Sequence, residues 1–346
     1  MTRTILALLC FLFCTFAGAA EAPRSILFLI ADGAAISQFT VTRILRGAEF
    51  QTGRLPSTGL VATSPLPDSI VTDSAAAATA YATGVRTNYR AVGVDPSGRS
   101  HKTVLERAEE LGKSTGLVTT TNFWDATPAA FAAHTPSRYD TDIIIGQMLS
   151  SGAAVIAGGG VRYFGVEGRP TLEEVADASA YTLIRTREEL ESATGERFLA
   201  VFPTEDQEVD FEEVRLPVLA RWAIEKVAGN PEGFFLMIEH EGADGAAHVN
   251  MTDEFVASLI SFDETVGVAL DFASARDDVL VLVTGDHETG GLQIHRERGT
   301  EMELRWTTKG HTGEAVPIFA FGPGAGEFTG FMSGEDVGKK ILRLLR

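Results

Sequence analysis

Short apolar runs alternate with longer amphipathic stretches along most of the chain. Six runs rich in β-branched residues predict β-strands, at residues 25–30, 116–120, 154–157, 234–238, 279–284 and 318–321. Apolar residues at helical spacing predict helices between them, including 102–111, 216–227 and 253–273. Strands that alternate with helices are typical of a largely parallel central β-sheet with helices on both faces. We therefore expect an α/β fold.

One stretch interrupts this alternation. Residues 162–215 are more polar and less periodic than the rest, and we expect them to form a surface excursion, or small crown, rather than a separate domain. The chain length and its 45% hydrophobic content suit one large globular domain. We expect that domain to span residues 21–346.

The first twenty residues have the three-part pattern of a secretory signal. Arg3 precedes an apolar run at 5–16, and small residues follow at 17–20. This pattern predicts cleavage near Ala19 or Ala20 and a mature protein that is exported, periplasmic or extracellular, with no membrane segment. The run is shorter than the roughly 20 residues that usually span a bilayer, so an uncleaved anchor is the less favoured alternative.

Both cysteines, Cys10 and Cys14, lie within the predicted signal. The mature chain would then contain neither a disulfide nor a thiolate ligand. Any metal site must use oxygen and imidazole ligands, which suit zinc, magnesium, manganese or calcium.

The chain is strongly acidic, with 29 basic and 47 acidic side chains and a formal net charge of −18. Such a surface disfavours non-specific binding to nucleic acid or to anionic membranes. An anionic substrate would need a local positive centre, which bound metal ions can supply.

Acidic or metal-binding side chains follow the C-terminal ends of four predicted strands. They are Asp32, Asp125 with Thr127, Glu239, and Asp286 with His287. In open α/β sheets, ligands bind just outside the carboxyl ends of the strands. Carboxylates gathered there would repel each other unless a cation lies among them. The pattern therefore predicts a metal centre.

Ser74 precedes an alanine-rich run and lies at or near the start of a predicted helix. Taken alone, such a serine is most often a helix cap. A helix N-terminus also presents free N–H groups to an anion, so Ser74 could attack phosphorus while the backbone holds the phosphoryl oxygens. Metal coordination is one route to activating its hydroxyl.

Three histidines have settings that suit metal binding. Asp244 and His248 are four residues apart and share one face if this segment is helical, although such a pair could also be a surface salt bridge. His287 adjoins Asp286 in a glycine-rich loop, whereas His311, between Gly310 and Thr312, is weak evidence by itself. The histidines at 101, 134, 240 and 295 lack such a setting and are expected to be surface or structural.

Six motifs occur in the order found in the alkaline phosphatase family and extend over nearly the whole mature chain, so the sequence resembles that family. They are Asp32-Gly33, Val71-Thr72-Asp73-Ser74-Ala75-Ala76, Asp125-Ala126-Thr127-Pro128, Glu239 with Asp244 and His248, Asp286-His287-Glu288-Thr289-Gly290-Gly291, and His311-Thr312-Gly313. The resemblance implies hydrolysis of small-molecule phosphate monoesters through a phosphoserine on Ser74. It also implies a homodimer.

The resemblance further implies two zinc ions and one magnesium ion per chain. The implied ligands are Asp244, His248 and His311 for the first zinc, Asp32, Asp286, His287 and the Ser74 oxygen for the second, and Asp125, Thr127 and Glu239 for magnesium, which Asp32 also approaches. Arg138 matches the arginine that grips phosphate, and Asp73 is placed to orient it.

The sequence departs from many relatives at Gly245, where they carry lysine, histidine or tryptophan near the phosphate. Asp125, in contrast, follows the magnesium pattern, whereas some relatives have histidine there. Only a short gap separates His295 from His311, which indicates a reduced crown and an open site.

Two other functions remain open. The first is a phosphodiesterase of the same superfamily, possible as a side activity, whereas a sulfatase is disfavoured because Ser74 is followed by alanines. The second is a non-catalytic exported protein that binds phosphate or metal. Such a protein would need the metal ligands but not Ser74 beside Arg138.

Overall fold

In the computed structural model, which describes residues 22–66, 69–203, 214–295 and 302–345, ten strands form one central sheet. In chain order these strands are β1 Ser25–Ala31, β2 Ser57–Ala62, β3 Ser114–Asn122, β4 Val155–Gly159, β5 Thr182–Ile184, β6 Phe198–Phe202, β7 Phe234–His240, β8 Val279–Gly285, β13 Val316–Phe321 and β14 Gly330–Ser333. Four short strands form two further pairs, β9 Glu288–Thr289 with β12 His311–Thr312 and β10 Gln293–His295 with β11 Glu303–Arg305.

The spatial order of the central sheet is β14-β2-β13-β8-β1-β7-β3-β4-β6-β5. All neighbours are parallel except β13, which runs antiparallel to both β2 and β8. The six predicted strands are all present, each one to several residues longer than its apolar run. The expectation of a largely parallel sheet is confirmed.

Helices cover both faces of this sheet. They are α1 Ile36–Arg46, α2 Ser74–Thr83, α3 Val104–Glu110, α4 Ala126–Ala132, α5 Thr141–Ser150, α6 Leu172–Ala178, α7 Arg187–Ser192, α8 Leu216–Val227, α9 Gly242–Val249, α10 Thr252–Ser274 and α11 Gly334–Leu344. Successive residues of β1 point to opposite faces, so Phe28 packs in the core under α2, α4 and α11, while Leu29 packs in the core under α8, α9 and α10.

The segment 162–215 differs in one respect from the expected surface excursion. It carries two strands, β5 and β6, that extend the edge of the central sheet beyond β4. The strand β6, FLAVF, is wholly buried. A run of only five residues between polar stretches is too short to distinguish a buried strand from a buried loop by periodicity.

The predicted signal at residues 1–20, with both cysteines, lies outside the described residues. Among the helices that are described, none is long and apolar enough to cross a membrane.

The sheet order explains how distant residues of the chain can meet. β8, β1, β7 and β3 are consecutive neighbours and parallel to one another. Their carboxyl ends therefore lie side by side, and these are the four strands that the sequence marks with acidic residues.

Candidate active site

A cavity of about 450 Å³ opens at the carboxyl ends of these four strands. Its walls include eight of the predicted site residues, namely Asp32, Asp73, Ser74, Asp125, Arg138, Asp244, His248 and His311. The predicted ligands Thr127, Glu239, Asp286 and His287 are almost fully buried around it.

Ser74 is the first residue of α2, and its neighbour Asp73 caps that helix. The Asp73 carboxylate accepts a hydrogen bond from the backbone N–H of Ala76, at 3.3 Å. The Ser74 hydroxyl is consequently not needed as a cap, and its Oγ lies 3.3 Å from Nε2 of His287. The simplest interpretation of Ser74 from sequence, a helix-cap serine, is therefore wrong.

Asp32, Asp286 and His287 form one buried cluster beside Ser74. Nε2 of His287 lies 3.2 Å from Asp286 Oδ2 and 3.5 Å from Asp32 Oδ1. Burial raises the pKa of Asp286 to about 7 and raises the pKa of Asp32 well above its ordinary value, and each carboxylate is further destabilised by neighbouring acids. Two carboxylates in this setting are costly unless a positive charge accompanies them.

Asp244, His248 and His311 form a second cluster next to the first. Nε2 of His248 lies 3.2 Å from Asp244 Oδ2 and 3.1 Å from Nε2 of His311. Asp244 and His248 are on one face of α9, which confirms the helical spacing expected from sequence. Burial alone would raise the pKa of Asp244, but the hydrogen bond from His248 and the nearby imidazoles lower it.

His287 joins the two clusters. Its ring stacks on that of His311, with centroids 3.7 Å apart, and its Nδ1 lies 4.0 Å from Asp244 Oδ1. By mutual distance alone, His287 can share a metal ion with Asp244 and His311 or with Asp32 and Asp286. We assign His287 to the group with Asp32 and Asp286, because its Nε2 lies next to both of these carboxylates and to the Ser74 hydroxyl.

The hydrogen-bond partners of the three imidazoles favour one tautomer. Nδ1 of His248 lies 2.6 Å from the carbonyl of Lys309, and Nδ1 of His311 lies 2.8 Å from the carbonyl of Thr72. Nδ1 of His287 lies 3.2 Å from the hydroxyl of Thr289, which itself donates to Asp244. Each Nδ1 therefore carries a donated proton, which leaves each Nε2 to hold either a second proton, as in the hydrogen bond from His248 to Asp244, or a metal ion.

These contacts fit bound cations. Nε2 lone pairs that face carboxylate oxygens and each other at 3.1–3.5 Å repel unless a proton or metal ion lies between them. Asp32 Oδ1 and Asp286 Oδ2 are buried and accept no hydrogen bond from the described residues. Neutral imidazole and carboxylate ligands, fixed by oxygen acceptors behind them, are the donor set that zinc prefers.

A third group lies on the β3 side of the cavity and contains Asp125, Thr127 and Glu239. Burial raises the pKa of Glu239 to about 8, although hydroxyls of Thr119 and Thr127 partly offset this effect. Asp125 adds a further negative charge nearby. An all-oxygen set of two carboxylates and a hydroxyl suits magnesium better than zinc.

Arg138 lies between two predicted site residues. Its Nη2 donates to Asp125 at 2.7 Å, and its Nη1 lies 3.4 Å from Asp73. The contact with Asp73 is the one expected from sequence, whereas the stronger contact with Asp125 was not foreseen. Burial alone would lower the pKa of Arg138, but these carboxylates raise it, so the guanidinium stays charged.

Sequence reasoning missed several residues of the cavity wall. Glu241 lines the cavity, and burial raises its pKa to about 8. The buried Trp124 also lines it, and the exposed Tyr89, Arg90 and Tyr139 form part of its rim. They lie outside the recognised motifs, and nothing in their local pattern marks them.

The comparisons with known proteins agree with this geometry. The sequence model described as alkaline phosphatase matches residues 23–303. Alkaline phosphatase 4 of Bacillus subtilis (strain 168) is 31% identical over 369 residues, covering 84% of this chain and 80% of that protein. The solved structure of alkaline phosphatase from the Antarctic bacterium TAB5 is 29% identical, covers 94% of this chain and 99% of its own, and has a TM-score of 0.86.

The structure of a mutant TAB5 enzyme is also similar to this chain. In that structure a histidine is replaced by aspartate and magnesium is bound in the M3 site. It is 29% identical to this chain, covers 94% of this chain and 99% of its own, and has a TM-score of 0.83.

Proposed function

This chain belongs to the alkaline phosphatase family, and we propose that it hydrolyses phosphate monoesters through a phosphoserine formed on Ser74. The family membership makes it a phosphoric monoester hydrolase. The roles of individual residues are our proposal, and one observation carries it. The Ser74 hydroxyl does not cap α2, because Asp73 does, and it lies beside His287 in a cluster of buried carboxylates that suits a cation.

Three groups of residues would hold the metal ions. Asp244, His248 and His311 would bind one zinc, Asp32, Asp286, His287 and the Ser74 oxygen a second, and Asp125, Thr127 and Glu239 would bind magnesium with help from Asp32. Ions bound there would supply positive charge for the Ser74 oxygen and the leaving oxygen, and would lower the pKa of an attacking water.

The chain's own groups would position the substrate. As at other helix N-termini, the first N–H groups of α2 favour an anion, so the phosphoryl oxygens would lie against them. Arg138 would hold two of these oxygens with its planar guanidinium while Asp73 and Asp125 keep it in place.

The reaction then has two displacements at phosphorus. Ser74 Oγ forms a bond to phosphorus as the bond to the alcohol oxygen breaks, and the alcohol leaves on the opposite side. Water next attacks the phosphoserine from the vacated side, which releases inorganic phosphate and restores the serine. Because the cavity rim is open, alcohols of different shape can leave.

Three further proposals follow from the sequence and the family. The pattern of residues 1–20 supports export and cleavage near Ala19 or Ala20, with function in the periplasm or outside the cell. The negative charge of the chain supports small-molecule substrates rather than nucleic acid. The resemblance to the family supports a homodimer.

The test combines elemental analysis with two substrates. We expect about two zinc ions and one magnesium per purified chain, and loss of activity in a chelator that zinc and magnesium restore. We also expect a chromogenic phosphate monoester to be hydrolysed much faster than its bis-ester. A faster bis-ester would indicate a phosphodiesterase, and metal binding without hydrolysis would indicate a non-catalytic binding protein.

A further inference from the structure

Arg90 adopts a backbone conformation that is unusual for its side chain. Its φ angle is +69°, in the left-handed region. Among the described residues only two other non-glycine residues, Ala180 and Asn250, share this property. Asparagine tolerates this region, but arginine in it is strained, and such strain is concentrated at functional sites.

The strained backbone is tied directly to the proposed phosphate site. The N–H of Arg90 donates to Asp73 Oδ1 at 3.0 Å, and the carbonyl of Arg90 accepts a hydrogen bond from the N–H of Arg138 at 2.8 Å. One short loop therefore connects the residue before Ser74 with the arginine that faces the phosphate. These bonds hold Arg90 in place at the rim.

The side chain of Arg90 lies between two aromatic rings. Its guanidinium carbon is 5.3 Å from the ring centroid of Tyr89 and 5.3 Å from that of Tyr139. Both distances are within the range of cation–π contacts, which restrict the guanidinium without neutralising it. Both tyrosines are themselves exposed at the cavity rim.

The charge of Arg90 is available to a ligand. Arg138, the other arginine of the cavity wall, is paired with Asp73 and Asp125. Within the described part of the chain, Arg90 has no carboxylate partner, and it is solvent-exposed. In a protein of net charge −18, an anion at this rim is otherwise repelled.

We propose that Arg90 binds a second phosphate group on the alcohol portion of the substrate, so that the enzyme prefers sugar bisphosphates to the matching monophosphates. This inference rests on the proposed function, because it assigns the cavity rim to the leaving alcohol. A cavity of about 450 Å³ has room for a sugar beyond the reacting phosphate. Guanidinium groups bind phosphate through paired, charge-assisted hydrogen bonds.

The test compares glucose 1,6-bisphosphate with glucose 6-phosphate, which differ by the second phosphate alone. We expect the wild-type enzyme to have the higher kcat/KM for the bisphosphate. In Arg90→Gln this preference should fall by about tenfold, mainly through KM, because one charge-assisted contact is lost. Arg90→Lys should keep part of the preference, since it retains the charge but loses the paired geometry.

A matched control separates local charge from overall charge. Arg99→Gln removes an arginine that lies nine residues further along and outside the cavity wall, so its preference should equal that of the wild type. Raising the ionic strength from about 50 mM to about 500 mM should reduce the wild-type preference, because screening weakens exposed contacts. Arg90→Gly removes the side chain that strains the backbone, so its thermal midpoint should be no lower than that of the wild type. It should nevertheless lose the preference for the bisphosphate.

The outcomes distinguish the two proposals. If the wild type hydrolyses none of these esters, the proposed function is wrong and the role of Arg90 fails with it. If it hydrolyses both but Arg90→Gln leaves their ratio unchanged, only the role of Arg90 is wrong. A lower thermal midpoint in Arg90→Gly with an unchanged ratio would make Arg90 a structural residue.

Discussion

Ser74 Oγ lies 3.3 Å from Nε2 of His287, although the two residues are 213 positions apart in the chain. The contact connects the N-terminus of α2 to the carboxyl end of β8. His287 is fully buried, and burial lowers its pKa to about 4, so its ring is neutral at physiological pH. Its Nε2 lone pair would therefore be available to hold a metal ion beside Ser74.

We expect Ser74→Ala to abolish turnover. Removing a nucleophile costs enzymes of this kind roughly a thousandfold or more in kcat. Zinc content should remain, because the five carboxylate and imidazole side chains at 32, 244, 248, 286 and 287 and the ring of His311 stay in place. Steady-state kinetics and elemental analysis on the same sample check both statements, and full activity in the variant contradicts the mechanism.

Much of this site could be predicted from the sequence because the fold follows a general rule. Acidic residues at the ends of parallel strands meet when those strands are neighbours, and the order β8-β1-β7-β3 makes them so. The role of His311 rests on family resemblance, because its setting between Gly310 and Thr312 is weak evidence in sequence. Only the pairing of β12 with β9 brings its ring against that of His287.

Other features depend on tertiary contacts that leave no local pattern. The contact of Arg138 with Asp125 needs the turn after α4 to fold back on the start of that helix. The strands β5 and β6 are short, and only their packing beside β4 makes them part of the sheet. Arg90 gives no sign in sequence of its left-handed backbone, because glycine or asparagine would be the expected residue there.

We expect added magnesium to raise the activity of a metal-stripped enzyme that has been reloaded with zinc. Asp125 offers oxygen ligands beside Glu239 and Thr127, which magnesium prefers to imidazole. In Asp125→His, the concentration of magnesium needed for half of this gain should rise by roughly tenfold or more. Titration of magnesium against activity measures both, and no gain in the wild type argues against a magnesium site here.

Gly245→Lys should tighten inhibition by inorganic phosphate and slow product release. An added Cβ at this position would lie 3.2 Å from Glu241 Oε1, so the new ammonium group meets this carboxylate before it reaches the phosphate. Inorganic phosphate should therefore inhibit the double variant Gly245→Lys with Glu241→Gln more strongly still. Gly245→Ala is the control for the added bulk, and an unchanged inhibition constant in both lysine variants contradicts the prediction.

His134 and Glu106 form a pair away from the metal ligands, with Nε2 and Oε1 2.9 Å apart. The hydrogen bond that His134 donates to Glu106 raises the pKa of His134 above 6.5. Burial alone would raise the pKa of Glu106, but hydrogen bonds from His134 and Thr103 lower it below 4.5. The histidine contribution to stability is complete below pH 6.5 and is lost as the pH rises through its folded-state pKa. The glutamate contribution is complete above pH 4.5 and is lost as the pH falls through its own.

The pair should therefore stabilise the fold most between pH 4.5 and 6.5. In this range we expect His134→Gln to lower the free energy of unfolding by about 0.5–1 kcal/mol, a modest value because water screens the partly exposed Glu106. The difference from the wild type should shrink toward pH 9, where a neutral histidine no longer forms an ion pair. Urea unfolding of the wild type and of His134→Gln at equal metal concentration measures this difference in free energy. Protonation of the metal ligands affects the two proteins alike and cancels. A constant difference for His134→Gln from pH 5 to about pH 9 would rule out the ion pair.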